Sequence, residues 1–150
     1  MMIKKICFSM LFVTLASCGF EPIFSKKNSE IVINELQLNG DKGINRKIIS
    51  NLNIKEKNQS ELGYILILDS NKIIEVVSKD KSGNASIYKT TLNVDIALRK
   101  EDELIKDKKF NLSFTYNNIK NKFDLSEYQR NIEANLINKI TEEILIFLNL

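Results

Sequence analysis

Cys18 is the residue whose type and surroundings specify a chemistry. It closes the run Leu15-Ala16-Ser17-Cys18 and is followed by Gly19. The small side chains of Ala16 and Ser17 let an extended backbone enter a peptidase cleft. The cysteine then offers a thiol, the nucleophile needed for diacylglyceryl transfer. Upstream, Lys4 and Lys5 precede an apolar stretch over residues 6–16, broken only by Ser9 and Thr14. A short basic segment followed by a brief apolar core is the physical form of a secretory signal. The stretch is too short to span a bilayer, which takes about 20 apolar residues. The expectation is a lipoprotein signal peptide over 1–17, cut between Ser17 and Cys18, with lipid on Cys18.

Loss of residues 1–17 from the 150 leaves 133 residues and removes Cys7. With Cys18 acylated, the remainder has no free thiol and no internal disulfide. It also has no histidine, hence neither the commonest general base nor the commonest metal ligand. Cys/His zinc sites and Ser-His or Cys-His nucleophile pairs are excluded, and no carboxylate cluster suggests acid–base work. The expectation is therefore no enzyme, no catalytic residue, no metal and no cofactor beyond the covalent lipid. Of 22 basic residues, Lys4 and Lys5 leave with the signal, so 20 face 19 acidic ones. A near-neutral chain without a basic tract is not a nucleic-acid binder, whatever its pI of 8.8.

The likeness of 15–18 to a lipobox implies three acyl chains on Cys18, and two or more membrane signals anchor stably. Gly19 stands where aspartate is the usual inner-membrane retention signal, which favours the periplasmic side of the outer membrane.

Residues 18–30 read as a lipidated tether containing the sole proline, Pro22. Residues 31–150 read as one α+β domain. Ile31 to Leu38 forms a first strand, and Asn39 to Gly43 has loop composition. Ile44, Ile48, Ile49 and Leu52 share one face of a helix over Ile44–Lys55. Leu62 to Lys79 is strand-like: one long strand with a polar kink at Asp69–Lys72, which is preferred, or a tight hairpin. Ser82-Gly83-Asn84 is the next turn. Ser86 to Arg99 alternates without a break, Tyr88, Thr90, Leu92, Val94, Ile96 and Leu98 facing one way. Lys100 to Lys109 is a charged loop or a continuation of the hairpin, and Phe110 to Tyr116 repeats the alternation. Asp124-Leu125-Ser126-Glu127 has a capping-box pattern. It opens a final helix whose stripe is Leu125, Tyr128, Ile132, Leu136, Ile140, Ile144 and Phe147. The order β-α-β-β-β-α predicts a two-layer α+β fold, two helices packed on one face of a four-stranded mixed sheet. The first strand reaches the sheet through a helical crossover, which suits parallel pairing, and the second face is left polar.

At this point the chain resembles the lipopolysaccharide-assembly lipoprotein LptE family, in particular its alphaproteobacterial type. Cys18-Gly19-Phe20-Glu21-Pro22-Ile23-Phe24 is similar to the family's Cys-Gly-Phe-x-Pro-Leu-Tyr opening. Gly83-Asn84-Ala85 forms the turn before the long alternating strand. Phe114-Thr115-Tyr116-Asn117-Asn118 resembles the family's Ser-Tyr-Asn segment, and a long C-terminal helix follows. The resemblance implies a plug and assembly factor inside a large β-barrel partner, LptD, acting in delivery of lipopolysaccharide to the outer leaflet. A polar sheet face suits a hydrated barrel lumen. The alternative is a stand-alone outer-membrane lipoprotein binding an apolar ligand or cell-wall component.

Lys79, Lys81, Lys89, Arg99, Lys106, Lys108 and Lys109 fall near strand ends. Lys89, Arg99, Lys108 and Lys109 are candidate contacts to lipopolysaccharide phosphates, set against an ordinary solvated rim in which Glu101, Asp102, Glu103 and Asp107 interleave. The apolar end of the last helix, 144–148, places Leu145 and Ile146 off the stripe, either against a partner barrel or packed on the sheet.

Overall fold

The computed structural model describes residues 31–57 and 63–148. The expected signal peptide, cleavage site, lipidated Cys18 and tether lie outside them. The elements are β1 (Ile31–Ile33), β2 (Glu35–Gly40), α1 (Lys42–Asn51), β3 (Ile54–Glu56), β4 (Tyr64–Lys79), β5 (Ala85–Lys100), β6 (Glu103–Asn117) and α2 (Lys122–Leu148). The main sheet has the order β2-β4-β5-β6, with β2 parallel to β4 and the other pairs antiparallel. It is the expected four-stranded mixed sheet with two helices on one face.

The first strand departs from expectation through a contact between distant segments, and the helix ends depart through local caps. The first strand is not continuous. Asn34 donates its backbone N–H to the Tyr64 carbonyl at 2.8 Å and divides it into β1 and β2. β1 pairs in parallel with β3, Ile31 opposite Ile54, as a separate two-stranded sheet. The first helix accordingly stops at Asn51 rather than at Lys55. Asn53 takes φ +52°, a left-handed conformation that asparagine tolerates better than most residues. Ile54 then enters the core from a strand instead of a helix. The helix also begins earlier, at Lys42. Asp41 caps it, its Oδ1 accepting from the N–H groups of Gly43 at 2.8 Å and Ile44 at 3.1 Å.

Residues 64–79 form the preferred single strand, with a register shift between Val76 and Lys79. Asp80 closes the following turn by accepting from the N–H groups of Ser82 and Asn84, both at 2.9 Å. The charged stretch after β5 is strand from Glu103 onward. Only Glu101 and Asp102 turn the chain, Glu101 at φ +52°. The last helix starts two residues before Asp124. Its cap is Asn121, whose Oδ1 accepts from Phe123 N–H at 2.9 Å, so the Asp124 capping box is not the start signal.

Period two along β4, β5 and β6 sends Leu66, Leu68, Leu92, Val94, Ile96, Phe110 and Tyr116 into the core. They meet Ile44, Ile48 and Leu52 of α1 and Ile132, Leu136, Ile140 and Ile144 of α2. Ile137 and Thr141 are buried as well. They widen the α2 stripe because this helix packs against α1 along its flank as well as against the sheet. Tyr128 remains 38% exposed, its ring edge-on to Tyr116 at 5.7 Å.

Candidate functional site

Cross-strand register builds rows of polar side chains on the sheet face that the helices leave open. Asp69, Asp95 and Lys109 share one row across β4, β5 and β6, and Asn71, Asn93 and Asn111 share the next. Lys109 Nζ lies 2.9 Å from Asp95 Oδ2. Asn111 Nδ2 donates to Asn93 Oδ1 at 2.5 Å. Further toward the β4–β5 turn, Lys89 pairs with Glu75 at 3.5 Å. A shallow hollow of about 250 Å³ over the first row is lined by Asn39, Asp69, Asp95, Asp107 and Lys109 among others. The hydrogen bond and charge of Asp95, then the charges of Asp107 and Asp69, hold the Lys109 ammonium above its usual pKa. Over these rows the face is polar, with cations and carboxylates answering one another, whereas Ile73 on the same face is 45% exposed.

The four candidate phosphate contacts do not converge. Lys89, Arg99 and Lys109 lie on the open face, whereas Lys108 shares the helix-covered face with Ile96. Lys89 and Arg99 are ten residues apart on β5, about 33 Å in an extended strand. Arg99 donates from its guanidinium to the Asp102 carbonyl at 2.7 Å. Lys108 Nζ sits 4.8 Å from the centroid of the Phe110 ring, close enough for a cation–π contact. Of the two off-stripe residues on α2, Leu145 packs against the core, whereas Ile146 is 59% exposed. Among the described residues, no helix is long and apolar enough to cross a membrane.

Two features escape sequence reasoning. The first is an ion cluster between the layers. Glu133 of α2 accepts from Lys47 of α1 at 2.7 Å and from Lys72 of β4 at 2.5 Å. Partial burial pushes the Glu133 carboxyl up, but the hydrogen bonds and charges of the two lysines outweigh it and leave its pKa below the usual value. A lone glutamate next to Ile132 in an apolar stripe was the available signal. The second is a groove of about 380 Å³ between Phe114 of β6 and α2, with Tyr128, Ile132 and Leu136 on its apolar side and Asn131 and Asn135 at its rim. Phe114 reads as a core residue by alternation, yet it is 46% exposed, because α2, which sets Phe147 against Phe110 and Tyr128 against Tyr116, leaves a gap over it.

No family model matches this sequence, and no curated protein is similar to it at the level of sequence. Solved structures do share the fold. Rare lipoprotein B from Shewanella oneidensis is similar at a TM-score of 0.59 with 16% identity, over 77% of this chain and 94% of that one. A lipoprotein of Caulobacter crescentus gives 0.53 and 15%, over 77% and 86%. A minor lipoprotein of Acinetobacter baumannii gives 0.55 and 13%, over 78% and 92%. The class defined at this point is a two-layer α+β fold that bacterial lipoproteins also adopt.

Proposed function

We propose that this chain is an outer-membrane lipoprotein, anchored by acyl chains on Cys18, that acts as plug and assembly factor of the lipopolysaccharide translocon. Its partner is the β-barrel LptD, its cargo is lipopolysaccharide, and it catalyses no reaction itself. The observation that supports this best is the open sheet face. Rows of asparagine and mutually paired charges run across three strands there, and such rows stay hydrated inside a water-filled barrel. The lipobox at 15–18 supplies an anchor, and the fold shared with rare lipoprotein B agrees with the resemblance carried by the opening 18–24. In this role the domain contributes shape and polarity. Its charged side chains solvate the lumen and position the chain, which explains why the candidate cations are dispersed.

The test is extraction in mild detergent followed by mass spectrometry of what migrates with the chain, together with depletion in the cell. A large barrel protein at equal stoichiometry is expected, with lipopolysaccharide retained in the periplasm on depletion. A monomeric chain with normal surface lipopolysaccharide after depletion overturns the proposal.

A further inference from the structure

β6 is the outermost strand of the main sheet. Along its 15 residues, one row of backbone N–H and C=O groups has no neighbouring strand among the described residues. Edges of this kind are normally blunted by charge, proline or a bulge. Between Phe110 and Tyr116 β6 has none of these: no charged side chain, no proline, and its register shift lies at the opposite end, beside Leu98 and Arg99. A seven-residue, uncharged, β-prone edge is a template for another strand.

Three further observations specify the occupant. The groove between Phe114 and α2 runs beside this stretch and offers apolar volume where the side chains of an added strand would point. Asn131 and Asn135 at its rim are four residues apart on a helix, about 6 Å, close to the roughly 6.8 Å between alternate residues of an extended chain. Lys108 and Lys109 are exposed at the lower end of the same edge; Lys109 is already paired with Asp95, so Lys108, its ammonium over the Phe110 ring, is the cation left to meet a peptide carboxylate. A fatty acyl chain would fill the groove but leave the backbone row and both amides unmatched. An extended peptide satisfies all three.

We propose that the outer edge of β6 from Lys108 to Tyr116, with the groove beside Phe114, is a docking site for an extended peptide of a partner protein. The peptide adds as a fifth strand, antiparallel to β6. Its N-terminal half is uncharged, alternates along Phe110–Tyr116 and places an apolar side chain in the groove. Its C-terminal half is acidic and lies beside Lys108. Main-chain pairing supplies the affinity, and the groove and Lys108 supply the choice of sequence. Lys109 and Asn111 of this strand also belong to the polar face on which the plug proposal rests, but the outer backbone row and the groove do not, so either proposal can fail alone.

The test uses the full-length chain in mild detergent and a synthetic eight-residue peptide in which threonine alternates with two valines and then two glutamates. Saturable binding is expected, with new amide-exchange protection over 108–116 and none over 73–79, the open edge of β4. Phe114→Lys puts a charge on the covered side of the edge and should weaken binding at least about tenfold. Its circular dichroism and melting should stay unchanged, since the side chain is half exposed. Asn135→Trp, filling the groove from an exposed helix position, should do the same if Phe114→Lys unfolds. Replacing the two glutamates of the peptide by lysines should also weaken binding about tenfold. Absent binding, equal protection on both open edges, or indifference to either variant or to the lysine peptide overturns the proposal. So does protection of 108–116 that grows with protein concentration without peptide, which assigns the edge to a second copy.

Discussion

Glu133→Gln is the perturbation that tests most directly how the two layers are held together. In the native chain the carboxylate is mostly buried, at 14% side-chain exposure, and accepts from Lys72, itself 31% exposed, and from Lys47, 55% exposed. A hydrogen bond to a charged group contributes roughly 1.5–3 kcal/mol when sheltered, whereas an exposed pair contributes about 0–1 kcal/mol. The Lys72 contact therefore dominates, and glutamine, equal in shape but neutral, should cost about 2 kcal/mol. At about 2.1 cal/mol/K of unfolding entropy per residue, that lowers the melting temperature by roughly 7 °C for a domain of this size. The pH dependence follows from the direction of the Glu133 shift. Its folded pKa is depressed, so the contribution is complete above the unfolded value of about 4.3 and disappears as pH falls through the folded value. Urea unfolding of both proteins from neutral pH into the acid range should show two curves that converge at low pH. A double-mutant cycle with Lys72→Met should return most of the loss as coupling. Equal stability at neutral pH, or a gap that persists in acid, refutes the ionic account.

Gly40→Ala should be among the most destabilising single changes. Gly40 has φ +75°, and an added Cβ would lie 2.0 Å from the Ser70 carbonyl oxygen in the parallel β2–β4 pair; a loss above about 3 kcal/mol in urea unfolding is expected. Asp41→Ala removes the acceptor for Gly43 and Ile44 N–H and should cost about 1 kcal/mol by the same assay, with Asp41→Asn restoring most of it. Cys18→Ser should give a chain without acyl mass that no longer fractionates with membranes; intact-mass measurement and fractionation decide this, and wild-type localisation without lipid would remove the basis for an anchored function.

Much of the fold is legible along the chain because the patterns involved are local. Unbroken alternation from Tyr88 to Leu98 has one solution, a strand with one face covered. The 3–4 spacing of Ile132, Leu136, Ile140 and Ile144 likewise leaves only a helix. The turn at Gly83 follows from a residue free to take positive φ. The candidate site was less legible. Lys89, Arg99, Lys108 and Lys109 look alike in sequence, yet one residue of offset separates Lys109, paired with Asp95 on the open face, from Lys108 on the covered one. Composition identifies cations but not what already neutralises them.

The chemistry excluded by the absence of histidine, the expected lipid attachment at Cys18 and the order of the major elements all follow from residue types and short-range spacing, which need no partner elsewhere in the chain. The break at Asn34, the pairing of β1 with β3, the Lys47–Glu133–Lys72 cluster and the exposed groove at Phe114 do not. Lys47 and Glu133 stand 86 positions apart, and Phe114 differs from Phe110 only in what the long helix covers. Such features arise when loop closure brings distant segments together and their burial and hydrogen bonds outweigh local preference.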